Sequence, residues 1–284
     1  MQRPHYTNYK SVFPELEKVA KAISKAMPGF ETVDQTLAEN AIRVKALRKF
    51  GMPKAHEECI HVANKLENCS PEEPCGSMAC SLCHLYRRLR FMQKWVPYIK
   101  AHQEDYVAVT LVFYADKHST SELLYWEYSK LKQRVLKVMQ RIGFKSPIIG
   151  GFEMDYHNFT HDKKQSHWLP HLHLLMPNEP EKLEMVRQYM LRKKNLLARE
   201  GKRNRPMRID VITNVERQMS YCITGIWMEY PWFLNAENKL KKSKKPRRIK
   251  SAGVYAKSLV KLDRLSDGML TFAVNVQVGQ SDYS

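Results

Sequence analysis

Residues 168–176 read Trp168-Leu-Pro-His171-Leu-His173-Leu-Leu-Met176, two histidines one residue apart inside a run of large apolar side chains. Such a run predicts a buried strand. A strand repeats every two residues, so His171 and His173 face one side while Leu172 and Leu174 face the other. Two imidazoles in an apolar wall are costly unless something binds them. A divalent metal is one solution, because imidazole is a common neutral ligand. A hydrogen-bonded pair of core histidines is the other.

Working outward, Ile148 to Asp155 reads as a strand broken into by Gly150-Gly151, and a polar loop over 156–167 joins it to the histidine strand. In a hairpin of the two, Glu153 sits beside the histidines. It then completes a His, His, Glu ligand set with positions left for substrate. Asp155 shares that face and is the alternative third ligand.

The flanking elements give the fold class. Tyr106–Tyr114 is a β run, and 120–143 places Leu124, Tyr128, Leu131, Val135, Val138 and Ile142 at helical spacing. Asn178 caps a helix with Pro180 in its first turn, running to about Arg199. Arg208–Ile212 is a fourth strand, and 215–228 a further helix. The order β-α-β-β-α-β predicts an α+β, ferredoxin-like antiparallel sheet with helices on one face. Upstream, one helix begins near Ser11, with Pro14 and Glu15 in its first turn and Leu16, Val19, Ala20 and Ile23 on one face. A second runs from about Glu31 to Phe50 and stops at Gly51. His56 and His61 are five apart, about 140° round a helix, which is wrong for a zincin. The tail, 251–284, holds one β-like run, Met269–Val278.

The 284 residues carry 47 Lys plus Arg against 29 Asp plus Glu, a net charge of +18. That excess points to a polyanion, with nucleic acid ahead of anionic membrane, since no spanning or amphipathic membrane segment stands out. The start, Met-Gln-Arg-Pro-His-Tyr, does not read as a signal peptide, so a cytoplasmic protein is expected. Five of the six cysteines lie between positions 59 and 83. In a reducing compartment such a cluster reads as metal ligands. An Arg-rich helix follows, with Arg87, Arg88, Arg90 and Lys94, and a second basic run spans 239–250.

Together these residues resemble the HUH endonucleases, and within them the rolling-circle replication initiators of bacterial plasmids and phages. Thr110-Leu-Val-Phe113 is similar to the family's first strand motif. Glu153 followed by Leu169-Pro-His-Leu-His-Leu-Leu175 is similar to its metal motif. Cys75-Gly-Ser-Met-Ala-Cys80-Ser-Leu-Cys83 is similar to a cysteine motif of one branch. The resemblance implies site-specific nicking and joining of single-stranded DNA at a replication origin, Mg²⁺ or Mn²⁺ on His171, His173 and Glu153, and host helicase and polymerase as partners. The residues alone also allow Zn²⁺. The family's nucleophile is a tyrosine on a helix after the fourth strand, which here is Tyr221, with Tyr189, Tyr230 and Tyr255 as fallbacks. The family usually has a lysine three or four residues later, where this chain has Thr224 and Gly225.

A structural Zn²⁺ is expected on Cys75, Cys80 and Cys83, with Cys69 as the expected fourth ligand and Cys59 and His84 as rivals. Arg87, Arg88, Arg90, Lys244, Lys245, Arg247 and Arg248 are the expected contacts to the DNA backbone. The expected organisation is a helical N-terminal region (1–66), a zinc-binding segment with its basic helix (67–104), the nuclease domain (105–230), and a basic linker and tail (231–284). A relaxase, a single-strand transposase, a non-catalytic zinc-dependent DNA-binding regulator and an RNA-binding module are the competing readings; against the last, Tyr106–Tyr114 lacks the Gly-and-aromatic pattern of an RNA-stacking strand. The regulator leaves Glu153 and the histidine strand unexplained.

Overall fold

A computed structural model describes residues 18, 21–25, 27, 30–51, 57–196, 205–225 and 227–276. The fold is α+β. Its sheet strands, in chain order, are β1 (Tyr106–Val112), β2 (Ile148–Phe159), β3 (His167–Pro177), β4 (Met207–Val211), β5 (Glu229–Leu234), β6 (Leu240–Lys242) and β7 (Thr271–Val274). They join in the order β4-β1-β3-β2-β5-β6, and β7 also pairs with β2. The β1/β3, β1/β4 and β2/β3 pairs are antiparallel, whereas β2/β5 is parallel. One edge of β2 is therefore shared. Its residues 148–151 pair with β7 and its residues 156–159 pair with β5.

Every residue of β3 is buried, which is why its sequence is a continuous apolar run and not an alternating one. β2 is longer than its sequence suggested. It continues through Tyr156, His157, Asn158 and Phe159, because β5 supplies backbone partners for that half. The expected helix over 120–143 shortens to α4 (Tyr128–Ile142), since Ser119 and Glu122 hydrogen-bond one another and hold 119–125 in turns. α4 buries Tyr128, Leu131, Val135, Val138 and Met139 and ends at Gly143, whose φ of +79° suits glycine. α5 (Pro180–Met190) is capped at Glu179, not Asn178, and stops well before Arg199. α6 (Val215–Cys222) is capped by Asn214, whose side chain accepts from the Arg217 N–H.

The helical layer comprises α1 (Val33–Gly51), α2 (Glu57–Glu67), α3 (Ser81–Ala101) and α7 (Ala252–Arg264). A short α8 (Asp267–Leu270) leads into β7. Most of the segment expected from Ser11, and His56, lie outside the described residues; residues 21–25 are helical and Ile23 joins the core. α7 had no sequence signature of its own. It packs on α1 and α2 and is tied to α2 by Lys65–Asp263 at 3.0 Å and Arg264–Glu58 at 2.6 Å. One buried apolar cluster runs from Ile23 to Val274, across all the boundaries expected from sequence.

Two glycines set how closely β2 is approached. A Cβ on Gly150 would lie 1.9 Å from the His173 carbonyl oxygen. One on Gly151 would lie 2.9 Å from the Cys222 carbonyl oxygen, so α6 rests directly on that strand. Gly150→Ala is expected to cost about 2 kcal/mol or more in chemical denaturation, because backbone must move. Gly268→Ala, whose added methyl meets nothing nearer than Ser266 Oγ at 4.0 Å, should stay within about 0.5 kcal/mol of the parent. Equal midpoints for the two variants would refute the tight β2/β3 approach.

Candidate active site and metal centre

The β2/β3 register sets Glu153 opposite His171 and Gly151 opposite His173, while β1 sets Thr110 opposite His173. Glu153 and Asp155 share a face of β2 at the strand period. The acids and histidines meet in two pairs. His173 Nε2 lies 3.2 Å from Glu153 Oε2, and His171 Nδ1 lies 3.4 Å from Asp155 Oδ2. The two imidazoles are 6.2 Å apart between ring centroids. Thr110 Oγ1 contacts His173 Nδ1 at 3.0 Å, and the Thr224 hydroxyl donates to Glu153 Oε1 at 2.9 Å. Thr224 stands where the resembling family has its lysine.

Tyr221, on α6, is half-exposed at 49%, and its ring lies 4.6 Å from that of His173. Burial first, and then Glu153, hold its phenol above the ordinary range. Tyr230 stands near the same acids, with burial and then Asp155 pushing it up to about 12. The Lys242 ammonium sits 3.8 Å above the Tyr230 ring. Tyr255 is elsewhere: it is buried on α7, where its hydroxyl donates to Glu39 at 3.1 Å. Tyr189 lies on α5, under the Arg192 guanidinium.

The donor set suits a divalent cation. Burial, and then His173, push His171 down to about 3, so its imidazole is neutral at physiological pH, the ligating form. Burial and the neighbouring Glu153 push Asp155 well up, which marks a site short of positive charge. Thr110 can donate or accept, so it supports either tautomer of His173. These groups close pairwise, however. Among the described residues, the candidate ligands that converge as a group of three or more are four cysteines.

Those four are Cys69, Cys75, Cys80 and Cys83, with ligand atoms all within 4.8 Å of one another. Their sulfur separations include 3.5 Å (Cys69–Cys80), 3.6 Å (Cys69–Cys83) and 3.8 Å (Cys75–Cys83). A tetrahedron of about 2.3 Å Zn–S bonds has edges of about 3.8 Å. The Cys75 and Gly76 N–H groups donate to Cys69 and Cys83 sulfurs at 3.3 and 3.2 Å, and Asn40 Nδ2 donates to Cys80 at 3.1 Å. Such donors favour thiolates. The cluster can hold a metal ion such as zinc. Of its sequence rivals, Cys59 lies on α2, and His84 packs instead against Gly225 and Arg87. Asn40 also accepts from the Ser81 N–H at 2.7 Å and Arg43 donates to the Ala79 carbonyl at 2.8 Å, so α1 clamps the cysteine loop and the start of α3.

The basic residues divide differently from expectation. Arg87 and Arg88 are buried at 7% and 6% exposure. Arg87 pairs with Asp267 and donates to Thr271 Oγ1 at 3.0 Å, and Arg88 pairs with Glu31. They do not present their charge to a DNA backbone. An amphipathic arginine helix has the same sequence whether its acids come from DNA or from distant parts of the chain. Arg247 is committed to the fully buried Glu229 at 2.7 Å, and Arg248 pairs with Glu39. Arg90 is half-buried; Lys244 and Lys245 are exposed. Beside Tyr221 lies a cleft of about 840 Å³ whose lining includes Thr110, Arg208, Asn214, Arg217 and Thr224. Exposed Arg208 and Arg217 were not singled out in the sequence, where nothing distinguishes them from other surface arginines.

Comparison with protein-family models, curated proteins and solved structures finds no match to this chain. Among the described residues no helix is long and apolar enough to cross a membrane.

Two outcomes are expected. Protein purified without chelator should carry one tightly bound zinc by elemental analysis, and Cys80→Ser or chelation should lower the melting temperature, since metal binding contributes folding free energy directly. A metal-free protein with the parent's melting temperature would contradict this. Secondly, the folded pKa of His171 lies below its unfolded value of 6.5. Its contribution to stability is complete above that value and is lost as pH falls toward about 3. In chelated protein, His171→Asn should therefore flatten the acid limb of stability against pH; an unchanged slope would show that His171 is not held neutral.

Proposed function

We propose that this chain is a metal-dependent endonuclease and strand transferase of the HUH type, nicking and joining single-stranded DNA through Tyr221 to initiate rolling-circle replication. The observation that carries the reading is the approach of Tyr221 to the face holding His173 and Glu153, at 4.6 Å between the tyrosine and imidazole rings. The antiparallel β4-β1-β3-β2 order supports a ferredoxin-like nuclease core. The sequence resemblance supports the same assignment. The charge of +18 supports a nucleic-acid substrate.

His171, His173 and Glu153, with Asp155 as the alternative acid, would hold Mg²⁺ or Mn²⁺. Such a cation supplies Lewis-acid stabilisation of the charge that builds on the scissile phosphate. The chain's own groups do the rest. Thr110 holds the His173 ring and Thr224 holds the Glu153 carboxylate. α6 presents the Tyr221 oxygen for in-line attack on phosphorus. The phenol releases its proton to solvent, the bond from phosphorus to the 3′ oxygen breaks, and that oxygen leaves as a hydroxyl. The enzyme keeps a 5′-phosphotyrosine, and attack by a 3′-hydroxyl reverses the step to rejoin strands. The free 3′ end would prime a polymerase after helicase unwinding by host proteins in the bacterial cytoplasm. The cleft lined by Arg208 and Arg217 and the exposed Lys244 and Lys245 are the phosphate contacts of this reading, replacing the buried arginines of α3.

A labelled single-stranded oligonucleotide pool with Mn²⁺ tests it. The parent should form a covalent protein–DNA adduct. Tyr221→Phe should abolish it while oligonucleotide binding stays within about two-fold, because binding rests on the basic cleft. Peptide mapping should place the DNA on Tyr221. DNA on Tyr230, Tyr189 or Tyr255 would move the nucleophile, and no adduct from the parent would reject the enzyme assignment.

A further inference from the structure

We infer that Arg88 is a positioning residue for Tyr221, locking the tyrosine helix to the helix that grows out of the cysteine cluster. The inference rests on the reading of Tyr221 as nucleophile. α6 has eight residues, too few to hold its place by intrinsic helix stability, so tertiary contacts fix its rotation. A rotation of α6 swings Tyr221 away from His173.

One contact from α3 reaches α6 itself, and two more brace its exit and the strand beneath it. Arg88 Nη2 donates to Ser220 Oγ at 2.5 Å, and Ser220 is the residue before Tyr221. The same guanidinium pairs with Glu31 and covers the Phe30 ring at 4.9 Å, so it is held by partners outside α6 as well. His84 lies under the exit from α6. Gly225 has φ +54°, and a Cβ there would come within 2.2 Å of His84 Nε2. Arg87 binds Thr271 of β7, and Thr271 pairs with Gly151, the glycine on which α6 rests.

The cost of burying Arg88 is what makes a packing role insufficient. An apolar side chain would fill the same space without desolvating a guanidinium. What only arginine provides is a planar fork that reaches Glu31 and Ser220 together. The anchor is the cysteine cluster. Cys80 caps α3 and Cys83 lies in its first turn, so a metal there fixes the helix start from which His84, Arg87 and Arg88 project.

The test uses the full zinc-loaded chain, Mn²⁺, the labelled oligonucleotide pool, and Arg88→Met, Ser220→Ala and the double variant. In each single variant the single-turnover rate of adduct formation at saturating DNA should fall about ten-fold, as expected for small misplacement of a reacting group. Oligonucleotide affinity should stay within about two-fold: Arg88 and Ser220 border the same cleft, but the guanidinium is buried and engaged by Glu31 and Ser220, whereas Arg208 and Arg217 are exposed. The double variant should be no slower than the slower single, because both remove one contact. Amide exchange over 215–222 should quicken in every variant. A residue that merely supports the fold would lower the melting temperature and the active fraction, leaving the rate per folded molecule unchanged. Parent-like rates at saturation, multiplying defects in the double variant, or a loss confined to affinity would each overturn the proposal. Ser220→Ala removes one oxygen, so it decides the matter if Arg88→Met fails to fold. Should the parent form no adduct, the nucleophile reading falls, and the exchange measurement alone judges the contact: unchanged exchange in both single variants overturns it, and faster exchange sustains it.

Discussion

The pairing of β2 with β3 is the constraint on which the centre depends. A slip of one residue would turn every side chain of one strand to the opposite face. Glu153 would then leave the histidines, and a slip in one direction would put Phe152 in place of Gly151 under α6. The register is held at several points. Gly150 admits the His173 carbonyl where no side chain fits, and β7 and β5 grip the other edge of β2 at its two ends. Between those two strands lies the stretch that carries Glu153 and Asp155. Among the described residues that stretch has no strand on its outer edge, so the acids lie where the sheet is braced but not closed over.

The electrostatics follow from that placement. Two acids and two imidazoles share a poorly hydrated face, and each acid settles against one histidine. Asp155 resists ionisation because it is buried away from water and, secondly, because Glu153 is near. Lys242 contributes positive charge from β6, over the Tyr230 ring, and acts on both Asp155 and His171. In sequence it belongs to the basic run 239–250, which reads as a DNA-backbone contact. In the fold, β5 and β6 pair as a hairpin and bring it to the acidic pair.

Much of this centre was legible because it depends on local periodicity. The alternation around His171 and His173 fixes their common face, and Glu153 follows from the short connection between two strands. The face of α4 was legible through Tyr128, Leu131, Val135 and Val138, which repeat at helical spacing. What could not be read depends on distant partners. β6 is three residues long and exists because β5 offers backbone to pair with; β7 falls within the β-like run Met269–Val278, but its partner β2 could not be read. Thr110 and Thr224 are unremarkable until a register and a helix position bring them to His173 and Glu153. Cys69 could be ranked above Cys59 by spacing, but His84 could be separated from the ligands only once Gly225 was seen against its ring.

The arginines of α3 carry the same lesson in a stronger form. In sequence they sum to a positive stripe, and a stripe on a basic protein reads as a phosphate contact. In the fold the acids that meet them are Glu31 and Asp267, on opposite sides of α3 in the chain. Burying guanidinium groups is unfavourable unless each is paired, so the helix can occupy its place only when both ends of the chain have docked. The cysteine loop, α1 and the α8–β7 segment are thus coupled to one helix, and that helix abuts the tyrosine helix at Ser220 and Gly225. A protein that needed only a platform for DNA could leave those arginines in solvent. Drawing them inward converts charge into a fixed geometry, while Arg208 and Arg217, which line the cleft beside Tyr221, remain exposed.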